Sequence, residues 1–322
     1  MVLVFVEHAL GELDELSLQA LTFARGYAGG EPVDAVVAGA GSAEAAGALG
    51  AHGVSTVHVA EHDALADGYA PQAWARAVAQ LAERLAPAAV VAAGSDRGHE
   101  LAAHAAVMTG GALAANCVAA TPGEPALVTR QRWGGSLLEE ARLHGPMKLL
   151  TVAAHAVEAK PAAGADAAVQ VFTPELRPED LVVRVSEHVE TSTGGLSLAD
   201  APVVVSGGRG VGSAEGFAPL EELASLLGGV VGCSRAVTMA GWRPHTDQVG
   251  QTGTKISPEI YIPCGISGAT QHMAGCKGAK KVLAINADPE APILSSADYA
   301  VIGDVSEIVP AISAELRRAR GS

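Results

Sequence analysis

Short apolar runs alternate with stretches of helical periodicity through the first third of the chain. Residues 2–6 (VLVFV) suit a buried strand, and residues 13–27 place apolar side chains at helical spacing. A second strand is expected at 33–37, an Ala-rich helix from Ser42, a third strand at 56–60 and a helix at 71–85 with Pro71 in its first turn. A fourth strand at 88–93 and a helix at 100–108 complete the series. Strands this uniformly apolar have no face to offer water, so the alternation predicts a parallel sheet with helices on both sides.

The rhythm changes after residue 117. Extended candidates at 126–131, 149–153, 168–172 and 181–185 read as a mixed or antiparallel continuation of the sheet. The polar, Gly-containing stretch 186–201 (SEHVETSTGGLSLADA) reads as a linker. The pattern then restarts. Strands are expected at 203–205, 260–263, 281–285 and 299–302, and helices at 215–227 and 268–275. The expected architecture is α/β in two domains: an N-terminal sheet domain over 1–185, and a C-terminal doubly wound parallel-sheet domain over 202–322.

Composition narrows the function. With 49% apolar and 17% charged residues the chain is globular, and with 3% aromatics its cores must be built from aliphatic side chains. A net charge of −14 would repel a phosphate backbone, which argues against nucleic acid as a partner. The four cysteines (Cys117, Cys233, Cys264, Cys276) form no CxxC pair, which argues against a zinc site or a disulfide framework. No signal peptide and no membrane-length apolar segment stands out, and a cytoplasmic protein that is not membrane-embedded is expected.

Five polar, Gly-rich loops fall within about a hundred residues, at expected C-terminal strand ends, where open α/β sheets bind ligands. The first is Ser206-Gly207-Gly208-Arg209-Gly210, whose glycines would let backbone approach a phosphate while Arg209 supplies a planar donor fork. It is not a dinucleotide fingerprint, because position 213, where a third glycine would stand, is Ser. The others are Ser234-Arg235, residues 248–255 (QVGQTGTK), residues 265–272 (GISGATQH) and Asn286-Ala287-Asp288-Pro289 with a later Gly303-Asp304. Each alone reads equally as an ordinary turn; Asp288-Pro289 is a standard turn starter. The run GSDRGHELAAHAA, with Asp96, Arg97, His99 and His104, and the isolated His8 have no second motif beside them, so the first domain reads as scaffold and interface.

As an ordered set, SGGRG, the Ser234-Arg235 pair, VGQTG, GISGATQH and NADPEAPI with the later Gly303-Asp304 resemble the flavin domain of electron-transfer flavoprotein α subunits, from about residue 202 to 310. The resemblance implies FAD in the C-terminal domain and a heterodimer with an electron-transfer flavoprotein β subunit carrying AMP or a second FAD. It implies that Gly208, Arg209 and Gly210 lie near the pyrophosphate or the ring's rim, and that Ser234 and Arg235 meet the isoalloxazine and its linking chain. Val249, Gly250, Gln251 and Thr252 would wrap the ring, with Thr252 near its N5 edge. Ser267, Gly268, Ala269, Thr270, Gln271 and His272 would hold the ribityl-phosphate region, with His272 at the pyrimidine edge. Asn286 and Asp304 would contact the AMP half. Many relatives read QTGK where this chain reads QTGTK, which leaves Lys255 without an implied role.

A reduced flavin carries negative charge near N1 and O2, which Arg235, and His272 if protonated, would stabilise. The protein tunes the cofactor that carries the chemistry. The expected activity is therefore that of an electron carrier without its own substrate turnover. It would take single electrons from a flavoprotein dehydrogenase of fatty-acid or amine oxidation and deliver them to electron-transfer flavoprotein:quinone oxidoreductase or another acceptor. The alternative is a subunit of an NADH-oxidising, electron-bifurcating flavoprotein.

Overall fold

A computed structural model describes residues 1–66, 68–133, 135, 137–162, 166–185 and 196–321. The chain divides into two compact units, Met1–Glu190 and Thr191–Ser322. Residues 186–195 of the expected linker lie outside the described residues.

The first unit runs β1 (Val2–Phe5), β2 (His8–Ala9), β3 (Glu12–Leu13), α1 (Glu15–Ala28), β4 (Val33–Ala38), α2 (Ser42–Ala48), β5 (Thr56–Ala60) and α3 (Asp63–Ala66). It continues with α4 (Pro71–Leu85), β6 (Ala89–Ala93), α5 (Asp96–Thr109), β7 (Ala112–Thr121), β8 (Ala126–Arg132), β9 (Leu137–Leu143), β10 (Lys148–Val152) and β11 (Ala168–Phe172). Nine of these strands form one sheet in the order β11-β5-β4-β1-β6-β10-β7-β8-β9, while β2 and β3 make a separate hairpin. The sheet is parallel from β11 to β7 and closes with the antiparallel meander β7-β8-β9.

Strand alternation explains the two-faced burial of β1. Val2 and Val4 join the core under α1 with Ala20, Leu21 and Ala24. Leu3 and Phe5 join the opposite core with Trp74, Val78 and Leu101 from α4 and α5. Trp74 packs edge-on against both Phe5 and Tyr69, an aromatic centre in a core otherwise built of small aliphatics.

Several expectations change. Residues 181–185 form no strand; a 3₁₀ turn, Pro178–Leu181, ends at the first of them. Asp180 holds that turn, accepting both guanidinium bonds of Arg76 at 3.1 Å and the Arg177 backbone N–H at 3.0 Å. Strands β7 and β9 were unforeseen because alanine and glutamate favour helix. In β9 the cross-strand pair Arg130–Glu139, 3.0 Å apart in register, offsets that preference.

The second unit runs β12 (Val203–Gly207), α6 (Ala218–Leu227), β13 (Val230–Cys233), α7 (Arg235–Met239), β14 (Ile260–Cys264), α8 (Thr270–Met273), β15 (Leu283–Asn286), β16 (Tyr299–Ile302) and α9 (Val305–Arg320). Its strands lie in the order β13-β12-β14-β15-β16, all parallel. This is a doubly wound order, with its topological switch between β12 and β14. One face buries Val205, Ile262 and Ile285 under Leu220 of α6 and Val309 of α9. The other buries Val204 and Tyr261 under Val249, Ile256 and Cys276, so a long loop and one short helix replace the usual helical layer. Helix α9 went unread because Pro310 sits inside it, and an internal proline reads as a break. All four cysteines are free and buried. Among the described residues no helix is long and apolar enough to cross a membrane.

Candidate functional site

The carboxyl edge of the second sheet carries a cleft of about 400 Å³. Thirteen of the residues singled out from sequence line it: Arg209, Gly210, Ser234, Arg235, Val249, Gly250, Gln251, Thr252, Ser267, Ala269, Gln271, His272 and Asn286. Gly208, Gly268, Thr270 and Asp304 are not among its walls.

At the switch point the loops after β12 and β14 pack backbone against backbone. Gly208 N–H donates to the Cys264 carbonyl at 2.8 Å, and Gly210 N–H to that of Gly265 at 3.0 Å. A Cβ on Gly208 would stand 2.2 Å from the Gly265 oxygen, so the glycine serves this loop contact before any ligand. The chain then enters a 3₁₀ turn, Arg209–Val211, and α6 begins only at Ala218. The Gly-rich turn therefore does not open an α-helix. Arg209 instead stands exposed on the rim.

Ser234 N–H donates to the Gly207 carbonyl at 3.0 Å, which seats the start of α7 beside the first loop. Arg235, the first residue of α7, is exposed. Among the described residues neither Arg209 nor Arg235 has an ion-pair partner. Two guanidiniums without ion-pair partners, at a cleft whose lining includes the single carboxylate Asp288, favour an anion there.

The loop 248–255 does not follow a strand; it is tied down on both sides. Val249 N–H donates to Cys233 at 2.9 Å and Gln251 N–H to Gln271 at 2.7 Å. Gln248, buried, accepts from Thr238 Oγ1 at 2.8 Å and donates to Thr252 Oγ1 at 3.0 Å. Thr252 thereby keeps its own O–H proton to offer elsewhere.

The expected helix at 268–275 is a single turn, α8, because Gly268 adopts φ +87° and packs on Ile293. That helix is too short to act as an anion site. Asn286, at the end of β15, donates to the Ile266 carbonyl at 2.8 Å and accepts from Asp288 N–H at 3.1 Å, tying two loops together. Asp304 caps α9, accepting from the backbone and side chain of Ser306 at 2.8 and 2.7 Å.

His272 forms the floor. It is buried, and its Nε2 lies 2.7 Å from the hydroxyl of the fully buried Tyr261. Burial pushes its pKa down to about 4, against a smaller upward pull from the Val249 backbone. The imidazole is therefore neutral near pH 7 and adds no positive charge beside a ligand. The ring also lies within hydrogen-bonding reach of the Val249 backbone, and its Nδ1 is sealed from solvent. A cleft lined by glycine-rich backbone and small polar side chains and flanked by two guanidiniums fits a ligand that is polar and anionic. The donor set therefore suits a flavin dinucleotide. Sequence reading left Ala236, Gln248, Gly265, Ile266, Asp288 and Ala291 out of the wall; all but Ala236 stood within the quoted motifs.

Comparison with known proteins gives the same direction. Residues 2–176 match the electron transfer flavoprotein domain, and residues 197–277 the electron transfer flavoprotein FAD-binding domain. The chain is 40% identical over 322 residues to the electron transfer flavoprotein subunit alpha of Mycobacterium leprae, covering 99% of each. It is 41% identical over 321 residues to that of Mycobacterium tuberculosis, again covering 99% of each. To the Bacillus subtilis subunit it is 34% identical over 329 residues, covering 98% of this chain and 97% of that protein. The chain belongs to the electron transfer flavoprotein α-subunit family, with that family's FAD-binding domain as its second unit.

Proposed function

We propose that the chain holds FAD in its second unit and, paired with a β subunit, passes single electrons from a flavoprotein dehydrogenase to a quinone oxidoreductase or other acceptor in the cytoplasm. The observation that carries the reading is the pairing of two unpartnered guanidiniums, Arg209 and Arg235, with a buried neutral His272 around one cleft.

FAD supplies the one-electron chemistry when bound. Arg209 and Arg235 bind and neutralise anionic groups of the cofactor, acting through fixed donor forks. Thr252, oriented by Gln248, offers a hydroxyl proton along the same wall. The 248–255 loop and α8, joined through Gln251 N–H and Gln271 O, exclude water from the buried side. His272, neutral and buried, floors the cleft without bringing a full charge. In this reading residues 186–201 join the two domains, and the β subunit carries AMP or a second FAD.

The test is an absorbance spectrum of the chain co-purified with its β subunit, followed by stepwise reduction with dithionite and, separately, NADH. A flavin spectrum that bleaches with dithionite in two separated steps and ignores NADH supports the carrier. Direct bleaching by NADH replaces it with the bifurcating alternative, and colourless protein overturns the assignment.

A further inference from the structure

The two edges of the second sheet are finished differently. At β13 the chain closes its own edge: Gln248 bridges in parallel to Cys233, Val249 N–H donates to the Cys233 carbonyl at 2.9 Å, and every residue of β13 is buried or half-buried. At the far edge β16 pairs with β15 alone, and Tyr299, Ala300 and Ile302 are exposed. Tyr299 N–H donates to the Val282 carbonyl and Gly303 N–H to that of Asn286, each at 3.0 Å, so the odd-numbered residues turn their main-chain groups inward. By strand alternation Ala300 and Ile302 turn theirs to the open edge. Such edges are ordinarily blunted by a charge, a proline or a bulge within the strand. β16 (YAVI) pairs in unbroken register and has none of these; it presents Tyr299 and Ile302, 60% and 61% exposed, in a chain with 3% aromatics.

The surroundings of β16 specify the charge of what lies against it. Residues 287–307 hold five carboxylates and no basic side chain. Asp298 pairs with Lys281 at 2.8 Å, and Asp304 is engaged with Ser306. Asp288, Glu290 and Glu307 are exposed and have no ion pair among the described residues. We infer that β16 seats an extended, basic segment of the β subunit, which adds to the sheet as a sixth strand. Main-chain bonds to Ala300 and Ile302 supply affinity, the apolar side chains of Tyr299 and Ile302 are covered, and the free carboxylates select lysine or arginine on the incoming strand. Ile302 stands in register with Asn286, a residue of the cleft wall, so the added strand borders the cleft. The choice of occupant rests on the heterodimer of the reading above; the open edge itself does not.

The experiment uses the complex with the β subunit, with ¹⁵N in this chain. Amide hydrogen exchange at Ala300 and Ile302 should be slowed roughly a hundredfold or more against an unstructured chain at the same pH. Exchange at the unprotected rate in an intact complex overturns the inference and leaves the heterodimer standing; chains that never associate overturn both. Ala300→Pro removes one outward N–H and leaves the β15 ladder whole, so it should weaken association roughly tenfold. Glu290→Lys with Glu307→Lys should weaken it by a similar factor and flatten its dependence on salt. Wild-type affinity in the proline variant overturns the added strand, and an unchanged affinity and salt slope in the charge variant overturns its basic character. The wild-type exchange rates decide even where the proline variant fails to fold. An assembly of two copies of each chain that Ala300→Pro splits into single heterodimers would put a second copy of this chain on the edge, and would overturn the choice of the β subunit.

Discussion

Each unit lays polar residues along the carboxyl edge of a parallel sheet, and the two treat those residues in opposite ways. In the first unit the groups beyond β1 and β6 satisfy one another. Ser95 caps α5 by accepting from Gly98 N–H at 2.8 Å and donates its hydroxyl to the buried Glu7 carboxyl. His99 pairs with Thr151 at 2.9 Å, and Arg97 stacks over Tyr69. In the second unit Arg209 and Arg235 stand exposed at the cleft with no ion-pair partner among the described residues. An edge whose polar groups are mutually satisfied is scaffold, and one that leaves them unsatisfied is prepared for a ligand. Topology alone does not separate the two cases.

The largest effect should come from filling that deficit. Arg209→Ala and Arg235→Ala should each weaken FAD retention roughly tenfold, the scale of a lost charge-assisted hydrogen bond. Flavin remaining after extended dialysis reads this directly. Arg235→Ala should also narrow the gap between the two one-electron steps in a reductive titration. Full retention in the double variant would place the anion site elsewhere. Arg97→Ala in the first unit should leave flavin content untouched.

The two edges should also answer pH in opposite directions. Glu7, desolvated by burial, has its pKa raised to about 7. The folded state then holds a proton that the unfolded chain releases above pH 4.5, so stability falls as pH rises from about 4.5 to 7. His272, with its pKa pushed down to about 4, releases a proton that the unfolded chain keeps. Its contribution is complete above pH 6.5 and is lost as pH falls toward 4. Each effect is bounded at about 3 kcal/mol across its window. His8, also lowered by burial, opposes Glu7 within the first unit, so the comparison needs single substitutions. Hydrogen exchange of β1 amides in Glu7→Gln should lose part of its pH slope, and that of β14 amides in His272→Gln should lose the opposite slope. Equal slopes in variant and wild type would discard either assignment.

The legibility of the chain follows the range of the forces involved. The parallel strands β1, β4, β5 and β6 were readable because burial on both faces demands continuous apolar sequence, which is a local property. The ordered Gly-rich loops were readable as a set for the same reason. What escaped depends on partners distant in sequence. Residues 181–185 form no strand, and the turn that leads into them is held by Arg76, 104 positions before Asp180. β9 exists through pairing with β8. The neutral state of His272 is set by burial, and no spacing rule announces that burial or its contact with Tyr261 eleven residues earlier. The glycines of the first loop looked like a phosphate cradle; the constraint they meet is the neighbouring loop's backbone.

Asp304 gives the smallest and most discriminating test, because its side chain stands between the two meanings that separate the edges. Resemblance places it on the AMP half of FAD, whereas the fold engages it with its own helix. Its carboxylate accepts two bonds from Ser306, which hold its pKa below the usual carboxylate range, and it stands outside the cleft wall. Asp304→Ala should therefore cost the N-cap of α9 and lower the melting temperature of the second unit by roughly 4 °C. Asp304→Ser, which can still cap, should recover most of that loss. If the cap is the whole of its role, flavin retention in both variants should match the wild type at temperatures well below melting. A serine variant that melts normally yet sheds FAD would show that the carboxylate reaches the cofactor as well, and would move this residue from the satisfied groups to the unsatisfied ones.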